Sequence, residues 1–130
     1  MVIDSSALVA IVFGETDAGS FLDRIAAASG VAVSAVSLVE STMVVESRQG
    51  AKATADLELL LQRVHAEIVP VDAEQATAAL TAWRRFGKGR HPAGLNLGDC
   101  FVYALARTRG DELLFKGEDF TQTDIRSARH

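Results

Sequence analysis

The stretch MVIDSSALVAIV (residues 1–12) joins a short apolar segment to a carboxylate and then to small residues that favour a helix. Residues 2–3 predict a buried β-strand. One of the two serines that follow predicts the N-cap of a helix over Ala7–Phe13. Asp4 therefore comes at the carboxyl end of a strand that leads into the core. An ionised carboxylate is disfavoured in such a place unless something compensates its charge.

Strands and helices alternate along the rest of the chain. Further strands are predicted in VAVS, EIVPV and ELLFK, and helices are predicted over Asp17–Ala28, Ala35–Arg48, Ala53–His65, from Asp72 through Trp83, and over residues 97–108. Gly50 is the predicted stop between the third and fourth helices. This alternation is typical of an α/β domain with a parallel sheet covered on both faces, here a single domain over residues 1–130. Such sheets bind ligands at the carboxyl ends of their strands, which is where Asp4 lies.

Composition limits the class of protein. The chain has 130 residues, of which 48% are hydrophobic, and this suits one globular domain with a sizeable core. The apolar runs are far shorter than a membrane span, and no basic segment precedes the first of them, so we expect a cytoplasmic protein without a membrane contact. The single cysteine, Cys100, excludes an internal disulfide and a cysteine-based zinc site. His65, His91 and His130 are not spaced as metal ligands.

One basic segment stands out against the formal net charge of −4. That net charge alone argues mildly against nucleic-acid binding. In RRFGKGRH (residues 84–91), however, four basic residues lie beside two glycines, and we take them as candidate RNA contacts: Arg84, Arg85, Lys88 and Arg90. A solvated loop and a mobile loop that contacts phosphates explain this segment equally well.

Glu40 lies on a helical face that the pattern predicts to be buried. Its neighbours at helical spacing are all apolar, namely Val36, Val39, Met43 and Val44. An ionised glutamate on a buried face costs several kcal/mol unless a positive group pairs with it. Alternatively, Glu40 is a capping-box residue of Ser37, three residues earlier. Ser34 is an equally good start for the same helix.

Four further acids and one amide come late in the chain. Asp99 begins the helix in LNLGDC, where the helix dipole favours an acid in any case. Asn96 either orients a neighbouring carboxylate or caps this helix. Glu118 and Asp119 follow the last predicted strand, at the sheet edge where the first strand also ends. Asp124 is a weaker candidate, which alternatively ties down the tail.

Carboxylates that converge in one cleft need a counter-charge. The four that we expect to converge are Asp4, Glu40, Asp99 and Asp119. Lys116 is the nearest basic residue in sequence, but its side chain is expected to point away along the strand. A divalent cation is the remaining partner, and all-oxygen ligands suit Mg²⁺ or Mn²⁺. Hard cations held by carboxylates serve phosphate chemistry more often than any other, so we expect phosphoryl hydrolysis.

With these acids in place, the chain resembles the PIN-domain ribonucleases, and especially the VapC toxins of bacterial toxin–antitoxin pairs. The resemblance spans nearly the whole chain and rests on VIDSSALVAI, SAVSLVES, LNLGDCFVYALA and LLFKGEDFTQTDI, in this order. It implies a three-layer α/β/α sandwich whose central parallel sheet has four to five strands. It also implies an endoribonuclease that depends on Mg²⁺ or Mn²⁺ and leaves 5′-phosphate and 3′-hydroxyl ends.

The resemblance also assigns residues and partners. The family's catalytic and metal-binding quartet falls on Asp4, Glu40, Asp99 and Asp119. A supporting role around these acids is predicted for Ser5, Ser6, Asn96, Glu118 and Asp124. The implied partners are an RNA substrate, a VapB-type antitoxin whose tail covers the acidic site, and a second copy of the chain in a homodimer.

Other phosphate-processing enzymes fit the sequence less well. A haloacid-dehalogenase-type phosphatase needs an aspartate two residues after the first, where this chain has Ser6. A receiver domain needs an aspartate after a middle strand, and none follows VAVS. The P-loop motif GxxxxGK[ST] is missing. The remaining alternative is a non-catalytic module of the same fold that binds nucleic acid or protein and uses its acids as caps. That module would bind no metal, and Glu40→Gln would cost it little stability.

Overall fold

We describe the fold from a computed structural model, which describes residues 1–129; His130 lies outside the described residues. The elements in chain order are β1 (Val2–Ile3), α1 (Ser5–Val12), α2 (Ala18–Ala27), β2 (Ala32–Ser34), α3 (Ala35–Arg63), β3 (Glu67–Val69), α4 (Ala73–Phe86), α5 (Leu97–Arg109) and β4 (Leu113–Leu114). The four strands form one parallel sheet in the order β3-β2-β1-β4. The predicted strands EIVPV and ELLFK are therefore present but shorter than expected.

The two faces of the sheet carry separate cores because successive strand residues point to opposite sides. Val2 and Leu113 pack on one face with side chains of α4 and α5, including Tyr103. Ile3 and Leu114 pack on the other face with side chains of α1, α2 and α3. The predicted α/β/α arrangement is thus confirmed, with four strands in its sheet.

The strand order locates a natural cleft. From β1 the chain moves outward through β2 to β3, and it then returns to place β4 on the opposite side of β1. The order therefore reverses between β1 and β4, and parallel α/β sheets bind ligands in the crevice at such a switch point. Asp4 directly follows β1, and the segment that carries Asp119 follows β4, so both acids border this crevice.

Of two predicted helix boundaries, one is corrected and one is confirmed. Asp4 is itself the N-cap of α1, because its carboxylate accepts the backbone N–H of Ser6 at 3.1 Å; the cap was predicted on Ser5 or Ser6. The element α3 is interrupted at Gly50, whose backbone has the non-helical angles φ 76° and ψ −164°, so the stop predicted there between two helices is confirmed. Glycine adopts a positive φ without steric cost, which allows the chain to change direction at this position.

The tail protects the edge of the sheet beside β4. Ser127 forms an isolated parallel bridge with Leu113. The N–H of Leu113 donates to the carbonyl oxygen of Arg126, and the N–H of Ala128 donates to that of Leu113, each at 2.9 Å. Exposed edges are prone to unwanted pairing, and this bridge reduces that exposure. Among residues 1–129, no helix combines the length and the apolar character that crossing a bilayer requires.

Candidate active site

Asp4 is a buried acid at the carboxyl end of β1, and Ser6 holds it in place. Both the backbone N–H and the hydroxyl of Ser6 donate to Oδ2 of Asp4. The hydroxyl oxygen of Ser6 also accepts the backbone N–H of Lys116 at 2.9 Å, so one serine connects the ends of β1 and β4. Burial raises the pKa of Asp4, and the charge of Asp119 adds to this, against hydrogen bonds from Ser6 and the Ser5 backbone.

The Lys116 side chain does not neutralise the site. Its Nζ contacts the carboxylate of Glu15 and lies 3.4 Å from Oδ1 of Asp17, both in the loop between α1 and α2. Lys116 therefore points away from the acids that follow it, as expected. The ion pairs within residues 1–129 include none that involves Asp4, Glu40, Asp99 or Asp119.

Asp99 is fixed at the start of α5 by a capping box with Asn96. The side-chain oxygen of Asn96 accepts the N–H of Asp99 at 2.8 Å, and Oδ2 of Asp99 accepts the N–H of Asn96 at 3.1 Å. Both roles considered for Asn96 are therefore present, since it caps the helix and orients the carboxylate. Burial raises the pKa of Asp99 to about 7; the Asn96 N–H opposes this, and the charges of Asp4, Asp119 and Glu40 add to it.

Glu40 reaches the site from α3, but the helix face on which it lies is not buried as predicted. Val39 is 57% exposed and Met43 is 63% exposed, while Glu40 itself is half-buried. The first half of α3 packs instead through the buried hydroxyl residues Ser37 and Ser41. The small serine side chains let α3 pack closely through their face of the helix. Val39 and Met43 lie on a different face and are therefore on the surface.

Two observations define the environment of the Glu40 carboxylate. The N-cap of α3 is Ser34, whose side chain accepts the N–H of Val36 at 3.2 Å, so Glu40 is not a capping-box residue of Ser37. Burial raises the pKa of Glu40, and the charge of Asp4 raises it further. Glu40 is therefore within electrostatic reach of the acid that ends β1.

The acids after β4 separate into two groups. Asp119 is exposed, and its charge acts on both Asp4 and Asp99, so it belongs to the cluster. Glu118 is exposed in the same loop. Asp124 lies in a different network: its Oδ1 accepts the hydroxyl of Tyr103 at 2.7 Å, and its Oδ2 lies 3.4 Å from Arg85 and 3.6 Å from Arg107. Asp124 thus ties the tail to α4 and α5, which is the alternative considered for it, and its supporting role at the acidic site stays a prediction.

Electrostatic effects among the four predicted acids thus indicate that they lie near one another at one edge of the sheet. Within residues 1–129, no three acidic, histidine or cysteine side chains are oriented around a common point as metal ligands. Carboxylates that lie near one another without a counter-ion disfavour each other's charged form, and the charges of neighbouring acids accordingly raise the pKa of Asp4, Glu40 and Asp99. The donor set consists of oxygen atoms only, and no basic side chain of residues 1–129 forms an ion pair with it. In donor chemistry and in charge it fits a hard divalent cation.

The basic segment is more ordered than a solvated loop. Arg84 and Arg85 belong to the last turn of α4, and the loop after them is closed by a hydrogen bond of 3.0 Å from the N–H of Lys88 to the carbonyl oxygen of Leu95. Arg85 is engaged by the Asp124 network. The guanidinium of Arg90 lies over the ring of Trp83, 4.6 Å from its centroid, and an exposed cation–π contact of this kind contributes about 0.5–1 kcal/mol.

An apolar groove beside the site was not predicted. It has a volume of about 750 Å³, and the larger side chains along it are Leu80, Trp83, Leu97 and Phe101. Leu97 is 78% exposed although it lies only two residues before Asp99. Leu80 and Trp83 lie three residues apart on one face of α4, and both are exposed. The sequence could therefore indicate an apolar face on α4. It could not indicate that nothing in the described chain covers this face.

The raised pKa of Asp99 predicts a pH effect on the metal-free protein. A carboxyl whose pKa rises from 3.8 to about 7 on folding stabilises the fold fully below pH 3.8, and this contribution is lost as pH rises towards 7. The melting temperature in EDTA is therefore expected to fall between pH 5 and pH 8. Asp99→Asn should reduce this decrease in melting temperature, and that result would assign the decrease to Asp99 and not to a histidine. A melting temperature that rises over this range in both proteins would contradict the prediction.

Solved structures share this fold. The VapC20 toxin of Mycobacterium tuberculosis, described as a sarcin–ricin loop cleaving toxin, superimposes with a TM-score of 0.78 over 95% of each chain at 17% identity. A toxin–antitoxin complex from Klebsiella pneumoniae gives a TM-score of 0.74 at 17% identity and covers 98% of this chain and 96% of that chain. At such identities the likeness establishes the fold alone.

Sequence comparison gives the family. The model of the PIN domain matches residues 1–126. A Ribonuclease VapC from Mycolicibacterium smegmatis is 51% identical over 125 residues, which cover 96% of this chain and 97% of that protein. Ribonuclease VapC30 from Mycobacterium tuberculosis is 50% identical over 125 residues, with 96% and 95% covered. The chain, with its parallel sheet and the acids gathered at the sheet's carboxyl edge, therefore belongs to the PIN-domain family and to its VapC group.

Proposed function

We propose that this protein is an endoribonuclease that depends on Mg²⁺ or Mn²⁺ and acts as the toxin of a toxin–antitoxin pair. The observation that carries the proposal is the group of four acids at the switch point of the sheet, which is not neutralised by an ion pair within residues 1–129. Such a group fits a cation that binds phosphate. The names of the relatives indicate RNA as the substrate that carries this phosphate.

Each acid has a role in this proposal. Asp4, Asp99 and Asp119 hold the cation, and Glu40 completes the ligand set directly or through a water molecule. When bound, the cation activates water, neutralises the phosphoryl oxygens and stabilises the leaving oxygen. In this proposal the Glu40 carboxylate also accepts a proton from the attacking water. The water oxygen bonds to phosphorus, the bond from phosphorus to the 3′ oxygen breaks, and that oxygen leaves as a hydroxyl after it takes up a proton.

Two other side chains keep these acids in position. The Ser6 hydroxyl holds Asp4 and connects it to the end of β4. Asn96 holds Asp99 through the capping box. Because Asp4 and Asp99 are held by neighbouring groups before the cation binds, less conformational entropy is lost on binding, and this favours a precise ligand geometry.

The basic residues beside α4 are proposed to contact the RNA backbone. Arg84, Lys88 and Arg90 are exposed, while Arg85 is shared with Asp124. Cationic side chains that bind phosphates release counter-ions, so the affinity for RNA should decrease as salt increases. This local charge would offset the formal net charge of −4.

The proposed partner is a cognate antitoxin of the VapB type. One of the similar structures is a toxin–antitoxin complex. Exposed apolar side chains flank the acids on two helices, with Val39 and Met43 on α3 and Leu97 on α5. The apolar groove continues from Leu97 along α4. An exposed apolar surface of this kind is typical of a protein interaction site. The homodimer stays a prediction, and the molar mass in solution measures it.

Incubation of the purified protein with total RNA tests the proposed function. Internal cleavage is expected in Mg²⁺ or Mn²⁺, and EDTA should abolish it, since the acids alone cannot neutralise the scissile phosphate. Sequencing of the new ends should find 5′-phosphates and 3′-hydroxyls. Intact RNA that is nevertheless retained by the protein in a binding assay would favour the non-catalytic binding module instead.

A further inference from the structure

Gly98, one residue before Asp99, leaves room for the Glu40 carboxylate. A Cβ built on Gly98 would lie 2.3 Å from both carboxylate oxygens of Glu40 and 2.5 Å from its Cδ. Atoms without a covalent bond do not approach so closely. The end of the Glu40 side chain therefore occupies the space that any side chain at position 98 would fill.

The backbone of Gly98 does not itself require glycine. Gly98 lies in the first turn of α5 and, unlike Gly110 at the end of the same helix, is not among the glycines with positive φ. Glycine is less favourable than alanine inside a helix because it loses more conformational entropy on folding. What glycine provides at this position is the close approach of Glu40.

We propose that Gly98 is a positioning residue for the acidic site, because its lack of a side chain lets the Glu40 carboxylate of α3 lie against the first turn of α5. This inference rests on the proposed metal-binding function, in which Glu40 joins Asp99 around the cation. An alanine at position 98 would push the carboxylate aside. The fold would accommodate this easily, since the displaced atoms are the end of a flexible side chain.

The chain offers a matched control for this substitution. Gly19 occupies the second position of α2, as Gly98 does in α5. A Cβ built on Gly19 meets no atom within 4 Å. Gly19→Ala therefore makes the same chemical change at the same helical position without displacing any group.

Calorimetric titration of the full chain with Mn²⁺ tests the proposal. Gly98→Ala should weaken Mn²⁺ binding by roughly 10- to 100-fold, the range for groups that orient metal ligands. Its melting temperature in EDTA should be equal to or higher than that of the unmodified chain. Gly19→Ala should bind Mn²⁺ with unchanged affinity.

A double substitution separates positioning of Glu40 from a disturbance of α5. In a Glu40→Ala background there is no carboxylate to displace, so adding Gly98→Ala should leave the residual Mn²⁺ affinity unchanged. An equal loss of affinity in both backgrounds would overturn the proposal, and so would full affinity in Gly98→Ala alone. Either result leaves the proposed function standing if the unmodified chain binds Mn²⁺. Failure of the unmodified chain to bind Mn²⁺ overturns the proposed function, and this inference with it.

Discussion

Asp99→Asn is expected to lower the rate of RNA cleavage in Mg²⁺ by at least about 100-fold, the upper end of the loss seen for groups that merely orient a ligand. Asparagine supplies no anionic oxygen to a cation. Its side-chain oxygen can still accept the Asn96 N–H that Asp99 accepts at 3.1 Å, so the capping box is retained. The initial rate of cleavage of a labelled RNA measures the effect, and circular dichroism verifies the fold.

Asp23→Asn is the matched control for this substitution, because Asp23 is exposed on α2, away from the sheet edge that carries the acids. It should cleave RNA at the unmodified rate. In EDTA at pH 8, Asp99→Asn should melt no lower than the unmodified protein. The substitution removes a carboxylate whose pKa is raised by burial and whose ionised form is therefore unfavourable in the folded protein. Cleavage by Asp99→Asn at the unmodified rate, with the fold intact, would refute the assignment of Asp99.

Sequence patterns were sufficient to predict the part of the site that depends on strands. Asp4 and Asp119 each follow a strand, and parallel strands present their carboxyl ends at a common edge. The structure pairs Ile3 with Leu114 in neighbouring strands, so the two acids follow adjacent strands. Chain order alone does not give that adjacency, because it depends on the return of β4 to the far side of β1.

Helical periodicity was a weaker guide to Glu40. The pattern predicted a buried face from its apolar neighbours, yet Val39 and Met43 are exposed and the serines of α3 are buried. Periodicity identifies a face that can be buried, whereas the neighbouring elements decide which face is buried. The family resemblance, which depends on the order of the motifs, predicts a site role for Glu40 on independent grounds.

Long-range side-chain pairing was beyond what sequence patterns could give. Asp124 and Tyr103 are hydrogen-bonded across 21 positions of sequence, and Ser6 meets Lys116 across 110. Neither pair has a local signal, since its energy depends on the fold that brings the residues together. The sequence therefore could not show that Asp124 pairs with Tyr103. The contact between Gly98 and Glu40 escaped prediction for the same reason.

Mn²⁺ is expected to raise the melting temperature of the protein at pH 8 by about 10 °C. A ligand present at 100 times its dissociation constant adds about 2.7 kcal/mol to the free energy of unfolding. Each kcal/mol shifts the melting temperature of a domain of this size by roughly 3–5 °C. The cation acts on Asp4, Glu40 and Asp99, whose pKa values are all raised in its absence. Differential scanning calorimetry in Mn²⁺ and in EDTA measures the shift.

The pH dependence of this shift distinguishes a metal site from general salt stabilisation. Protons compete with the cation for Asp99, whose pKa is about 7, so the stabilisation by Mn²⁺ should decrease from pH 8 to pH 5. Glu40→Gln should reduce the shift at pH 8, and Asp23→Asn should preserve it. If the acids acted only as helix caps, Mn²⁺ would leave the melting temperature unchanged at every pH, and titration would release no heat of binding. That result would exclude a metal-dependent mechanism, because such a mechanism requires the acids to bind the cation.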